Sequence, residues 1–399
     1  MFTASPYGWV SQYLFGFFFS YGVYLPFWAL WFESQGVSAA HIGTLIGLGF
    51  AARCLANVFL TPRIHKVEHL VPALRWFALA TLIFGTLYFV AGGDFWLLAV
   101  ITVLFNITMG PMMPLPDSMA NYYAKHQLLD YGSTRVWGSI AFIVGSTAVG
   151  YLAANWGHQW ILFSCLGGLA ANFILSLRTP NPAPKTEGEF LTRPRPKLLA
   201  LLREWSIVKF LLLEALIQGS HAAYYSIGSI YWKQAGYSEE TIGYLWSLGV
   251  LMEVMLFAFS RRWFAHVPVK TLFTIAALAV AVRWGLAAMT TALLPLIVIQ
   301  MLHSLTYALA HLAGMKYIQM GSEHRMVAMQ ALYNAIALGG SVALLTIFSG
   351  WAFEEWGGQV FWVMAAMGVA ALFIRLDLPR SQLDESSMIK SEPSAQNLR

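Results

Sequence analysis

Several titratable side chains sit inside stretches of this chain that are otherwise apolar. In "GFAARCLANV", residues 49–58, Arg53 is the one charged residue between Ile42 and Leu60. Carrying an arginine to mid-bilayer depth costs about 2.5–3.5 kcal/mol on insertion scales, so something must balance it. Glu253, Asp117, Glu214 and Arg283 lie in similar runs, and Arg135 opens another. Residues three, four, seven and eleven apart share one helix face. By that rule Glu214, Gln218, His221 and Tyr225 form one polar stripe, and Gln300, His303, Tyr307 and His311 a second. Asn106, Met113, Asp117 and Asn121 form a third, and Tyr13, Ser20 and Tyr24 a fourth. Such groups can pair charges, bind a polar solute, or hold and release a proton. For His311 a satisfied hydrogen bond between helices is the simpler expectation. The chain carries no H-E-x-x-H, no G-x-S-x-G and no glycine-rich phosphate loop, so it is not expected to be an enzyme. No metal and no cofactor are expected either.

The elements that position these residues are membrane helices. Of 399 residues 58% are hydrophobic and only 11% charged, with a mean hydropathy of +0.60. A soluble chain carries about 25% charged residues. Apolar runs of about twenty residues match the hydrocarbon thickness of a bilayer. The first 32 residues lack Lys, Arg, Asp and Glu, so the first run reads as a retained helix rather than a signal peptide. Cys54 and Cys165 both fall in apolar helices and imply no disulfide. The pI near 9.1 does not indicate nucleic acid, because the basic residues are scattered among short loops.

Twelve transmembrane helices are expected near 8–32, 41–62, 72–91, 95–124, 134–154, 159–178, 206–232, 240–261, 270–290, 293–319, 327–353 and 359–376. Alternate loops then sort by charge. Arg63, Lys66, Arg75, Lys125, Arg178, Lys185, Arg193, Arg195, Lys197, Arg203, Arg261, Arg262, Lys270, Lys316 and Arg325 fall on one side. Glu33, Asp94, Glu239, Glu240, Glu354 and Glu355 fall on the other, with Lys233 as its one basic residue. Cytoplasmic loops collect Lys and Arg, so both termini and the long central loop are expected in the cytoplasm.

The expected organisation is an N-terminal six-helix half over 1–178, a cytoplasmic linker over 179–204, a C-terminal half over 205–380 and a disordered tail over 381–399. The halves are related in sequence. "SQGVSAAHIGTLIGLG" at 34–49 and "QAGYSEETIGYLWSLG" at 234–249 share Gly36/Gly236, Ser38/Ser238, Ile42/Ile242, Gly43/Gly243, Leu45/Leu245, Leu48/Leu248 and Gly49/Gly249. A parallel repeat of two six-helix halves is the layout of major-facilitator transporters. At the same offset Arg53 corresponds to Glu253, which predicts an interface charge pair between them. Intramembrane polar groups face protein or water rather than lipid. Helices 1, 4, 7 and 10 carry the stripes and are expected to line a central cavity, with 3, 6 and 12 outside. The prolines of "GPMMPLPD" predict a kink in helix 4.

The stretches "FFSYGVYLPFWALW", "LDYGSTRVWGSIAF", "QGSHAAYYSIGSIYW", "GYLWSLGVLMEV" and "VRWG" resemble the 3-phenylpropionate transporters. These form a branch of the oligosaccharide:proton and nucleoside:proton symporter group of the major facilitator superfamily. The lactose permeases are similar more distantly. The resemblance implies a helix 4 carboxylate and a helix 5 arginine that meet at the substrate, at Asp117 and Arg135. It matches the helix 9 arginine to Arg283 and the helix 10 histidine to His303. The permeases' proton-releasing carboxylate falls at Thr306, their helix 8 acid at Val250, and the loop 2–3 motif is degraded to "LTPRIHKVEHL". The coupling residue is therefore open.

The expected function is proton-coupled uptake of a small aromatic carboxylate such as 3-phenylpropionate across a bacterial inner membrane. Its partners would be substrate, protons and the lipid bilayer, with the chain acting as a monomer. Arg53, Arg135 and Arg283 are the cations available to a carboxylate. Tyr24, Trp28, Trp137, Tyr224 and Tyr225 are the aromatic candidates for its ring, with His221 and His303 beside them. A sugar or nucleoside:proton symporter is the alternative, and a non-transporting membrane sensor a remote one. For the proton, a desolvated carboxylate without a cation beside it can be neutralised near physiological pH. Glu214 has only Gln218 and His221 on its face, which makes it the expected carrier, with Glu253 next.

Overall fold

The computed structural model describes residues 3–64, 66–185, 198–321 and 323–377. The expected tail and residues 186–197 of the expected linker lie outside these. Its helices, numbered α1 to α12 with interrupted ones kept under one number, follow the sequence in order. They are α1 (Pro6–Ser34), α2 (Ala39–Phe59), α3 (Leu70–Thr86), α4 (Phe95–Lys125), α5 (Tyr131–Trp156) and α6 (Gln159–Ser176). Then come α7a (Trp205–Gly219), α7b (Ala222–Gln234), α8 (Glu239–Phe264), α9 (Val269–Met289) and α10 (Leu293–Gln319). Last are α11 (Glu323–Leu332, Tyr333–Gly340 and Ser341–Trp356) and α12 (Val360–Leu372).

Ten segments among the described residues are long and apolar enough to cross a membrane. Two features keep this below the expected twelve. Helix 7, expected to be continuous, breaks at Ser220–His221, where the Ser220 hydroxyl donates to Ile217 O at 2.6 Å. Residues 325–372 form one stretch by that criterion, although Gly357, at φ 56°, turns the chain between α11 and α12.

The sequence repeat becomes a structural one. Gly36 and Gly236 both adopt positive φ, 82° and 94°, a backbone state that glycine takes without a Cβ penalty. Ser38 and Ser238 then cap α2 and α8 in the same way, accepting from His41 N and Thr241 N. Identical residues at each offset thus build identical turns.

Apart from α1 against α7b, the main packing between the halves joins helices that are not repeat mates. α2 lies against α11, and α5 lies against α8, with α1 touching α7b. The contacts are glycine-tight at the ends that carry the acidic loops. A Cβ on Gly43 would sit 2.5 Å from Gly350 Cα, and one on Gly150 would sit 2.6 Å from Glu239 O. Two polar clasps lie at the same end: His158 Nε2 to Glu239 at 2.7 Å, and Ala40 N donating to Glu354 at 2.9 Å. Lys233 also reaches Glu239, at 2.6 Å. Further along the same helices Arg135 and Glu253 are partly exposed, while a Cβ on Gly339 of α11 would sit 2.6 Å from Cys54 Sγ of α2.

α1 is the most buried span, and α3, α6 and α12 turn large side chains such as Trp76, Phe163 and Trp362 outwards. Three inner helices depart from regular α geometry. α4 passes through a 3-10 turn at Gly110–Met112, within the proline cluster. α10 is π-helical over Ser304–Leu309, and α11 over Tyr333–Gly340. Such segments recur at functional sites.

Candidate functional site

Partly exposed aromatic residues of both halves meet at the centre of the bundle. Tyr21 of α1 and Phe50 of α2 face Tyr225 of α7b and Tyr307 of α10. The Phe50 and Tyr225 ring centroids are 6.1 Å apart. Tyr24 lies deeper, its ring 5.7 Å from Phe105, its hydroxyl against the Asn106 amide at 3.1–3.3 Å. Tyr24 is thus buried in the N-terminal half, whereas Tyr225 is partly exposed where the halves meet.

Asp117 and Arg135 come together as expected, 3.7 Å apart and both partly exposed. The Arg135 guanidinium also lies 4.4 Å from the Phe18 ring centroid. Glu253 lies 3.9 Å from His303 Nε2.

The expected Arg53–Glu253 charge pair is not formed. No described carboxylate lies within 4.0 Å of Arg53; its guanidinium sits over Phe50, Tyr21 and Tyr24 at 4.6, 5.4 and 5.5 Å. The reason is the packing order. Helices α2 and α8 are repeat mates, but each packs on the other's diagonal neighbour, α11 or α5. Equal depth in the two halves therefore does not mean contact.

Arg283 is also placed differently from a free substrate ligand. It is fully buried and its donors are committed within the C-terminal half. Its Nε donates to Ile299 O, Nη1 to Thr306 Oγ1 and Nη2 to Gln300 Oε1, at 2.9, 2.8 and 3.2 Å. Nη1 also lies 3.1 Å from His303 Nδ1, and His221 Nε2 lies 3.0 Å from Thr306 Oγ1. Thr306 thus ties His221 to Arg283, a link that needs the fold to be visible. Gln300 Nε2 passes the chain on to the Tyr224 hydroxyl at 3.1 Å.

Trp137 does not reach the centre. It is 39% exposed on the outer surface, its Nε1 donating to the Tyr7 hydroxyl at 2.9 Å. Two residues after Arg135 on one helix, it must point nearly the opposite way. His311 is satisfied by the Tyr333 hydroxyl at 2.9 Å, the simpler reading of that residue.

Glu214 is fully buried, and neither carboxylate oxygen has a hydrogen-bond partner. The Oε1 of Gln218, one turn on, is equally without a donor. Glu214 packs against Gly314 of α10 and lies near Tyr333, the first residue of the α11 π segment. Three acceptor oxygens without donors make this a place that fits a proton. Among the described residues no three His, Cys, Asp or Glu side chains group as a metal would require.

Residues 7–364 match the MFS_1 like family. The chain is 40% identical over 369 residues to the "Probable 3-phenylpropionic acid transporter" of Escherichia coli (strain K12), covering 92% of this chain and 96% of that protein. It is 25% identical over 372 residues to a maltose permease of Geobacillus stearothermophilus, covering 92% of each. Among solved structures, the nucleoside transporter NupG superposes with a TM-score of 0.78 at 15% identity, over 92% of this chain and 98% of that one. The peptide-transporter-family structure PepTSo follows at 0.67 and 10%, over 92% and 96%.

Proposed function

The chain belongs to the MFS_1 like family of multi-pass transporters, and from that premise we propose that it takes up a small aromatic carboxylate, such as 3-phenylpropionate, together with a proton. The observation that carries this reading is the set of partly exposed rings where the halves meet, Tyr21 and Phe50 on one side and Tyr225 and Tyr307 on the other, together with the Asp117–Arg135 pair. A phenyl ring is accommodated by aromatic walls, and a carboxylate by cations. The 40% identical relative is named for such a substrate.

The mechanism is alternating access of the 1–178 and 205–380 halves about the α2–α11 and α5–α8 contacts, with 179–204 as the linker between them. With the basic loops in the cytoplasm, the His158–Glu239 and Ala40–Glu354 clasps lie on the outer side. Both termini are then cytoplasmic and the membrane is the bacterial inner membrane. Glu214 is the proton carrier, Glu253 the second candidate, and the Asp117–Arg135 pair senses substrate or proton. His221 and His303 join Arg283 in a rigid C-terminal wall. The chain acts as a monomer, without cofactor, and moves its substrate chemically unchanged.

Uptake into proteoliposomes tests the reading. Inward-acid-driven accumulation of 3-phenylpropionate, with maltose and uridine inert, is expected. Accumulation of the sugar or nucleoside, and not the acid, would transfer the assignment to the neutral-substrate symporters.

A further inference from the structure

Arg53 is a charged side chain with two unused donors. Its Nε and Nη2 atoms are shielded from solvent and have no hydrogen-bond partner. These two nitrogens form the side-on edge of the guanidinium, the pair of parallel donors that receives both oxygens of a carboxylate. Arg283 has filled the corresponding edge with Ile299 O and Gln300 Oε1, and Arg135 is held at Asp117. Of Arg53, Arg135 and Arg283, Arg53 is thus the one with neither a described carboxylate within ion-pair distance nor an acceptor on that edge.

We infer that Arg53 is the anchor for the substrate carboxylate, with Phe50 and Tyr21 as the rings that cover its edge and flank the bound ligand. This rests on the reading of the chain as an aromatic-acid carrier, and adds the residue that recognises the acid. The surroundings fit that chemistry. Phe50 lies 4.6 Å from the guanidinium carbon and meets Tyr225 of the other half, so a phenyl group bound at Arg53 lies at the seam between the halves. Tyr24, pinned by Asn106, holds the floor. The backbone is fixed as well: a Cβ at Gly110 would come within 3.1 Å of Arg53 O, so the 3-10 turn of α4 rests on the turn that carries Arg53. An arginine so placed keeps a fixed direction, which a bidentate contact requires.

The test compares binding of 3-phenylpropionate with binding of its neutral amide, 3-phenylpropionamide, to the purified full-length protein. Wild type is expected to prefer the acid. Arg53→Gln should weaken the acid by about 30-fold or more while leaving the amide within about threefold. Arg53→Lys, which keeps the charge but loses the fork, should weaken the acid by about tenfold and likewise spare the amide. Acid affinity within about threefold of wild type in either folded variant overturns the assignment. If Arg53→Gln does not fold, the lysine variant alone decides. Wild-type protein that binds neither compound refutes the aromatic-acid reading itself, a result distinct from failure of the Arg53 assignment.

Discussion

Glu214→Gln separates the movement of substrate from its coupling to protons. The glutamine keeps the volume of the side chain but cannot exchange a proton. An ionised Glu214 here would be a buried charge with no cation beside it, at a cost of several kcal/mol. A single proton removes that charge and makes the side chain a donor for the orphaned Oε1 of Gln218. The glutamine amide supplies the same donor permanently, so stability should hold or rise by about 1 kcal/mol. The functional magnitude follows from charge balance. One monovalent carboxylate moving with one proton carries no net charge, so only the pH difference drives it. A gradient of one unit is worth about 1.4 kcal/mol, hence about tenfold accumulation in wild type. In proteoliposomes Glu214→Gln should fall to equality across the membrane, while counterflow of labelled against unlabelled substrate continues. Tenfold accumulation by the variant would remove Glu214 from the coupling and direct the same experiment to Glu253.

The Gly314→Ala variant should slow transport several-fold in uptake assays, because its Cβ would meet Glu214 Oε1 directly. Arg135→Lys should reduce the transport rate while equilibrium binding of the acid stays within about threefold, since the Asp117 contact is a positioning one; a loss as large as that of Arg53→Gln would give Arg135 the carboxylate instead. Trp137→Phe should leave affinity and rate unchanged, because the side chain faces outwards. His158→Ala removes one clasp on Glu239 and should raise labelling of engineered cysteines lining the acidic-loop side; unchanged labelling would show that the glycine contacts alone hold that end shut.

The architecture was legible because bilayer physics leaves few options. Runs of twenty apolar residues, alternating loop charge and polar stripes on particular helices follow from the cost of exposing polar groups to lipid. Helices α1, α4, α7 and α10 carry buried polar residues such as Ser20, Asn106, Glu214 and Gln300, but Arg53, Arg135, Glu253 and Arg283 come from α2, α5, α8 and α9. The repeat at 34–49 and 234–249 is matched by like turns, with Gly36 and Gly236 both at positive φ. The Asp117–Arg135 contact was reached through family resemblance rather than through spacing. The break in α7 and the π segments of α10 and α11 were not legible. They depend on neighbours, such as the Ser220 hydroxyl bonded back into its own helix and to Trp284 Nε1, at 2.6 and 3.0 Å.

Arg53 shows why repeat symmetry alone misleads. An offset of 200 relates helices, and so it predicts which residues share a depth. It does not predict which residues touch, because a two-fold axis carries α2 onto α8 and α5 onto α11 while the contacts run from α2 to α11 and from α5 to α8. The two halves then use their arginines in opposite ways. Arg283 is enclosed by Ile299, Gln300, His303 and Thr306 and stiffens the wall of its half. Arg53 is enclosed by rings, which lower the cost of its charge without using up its donors. A carrier needs both: a wall that keeps its shape through the transport cycle, and one charge left open for the solute to complete.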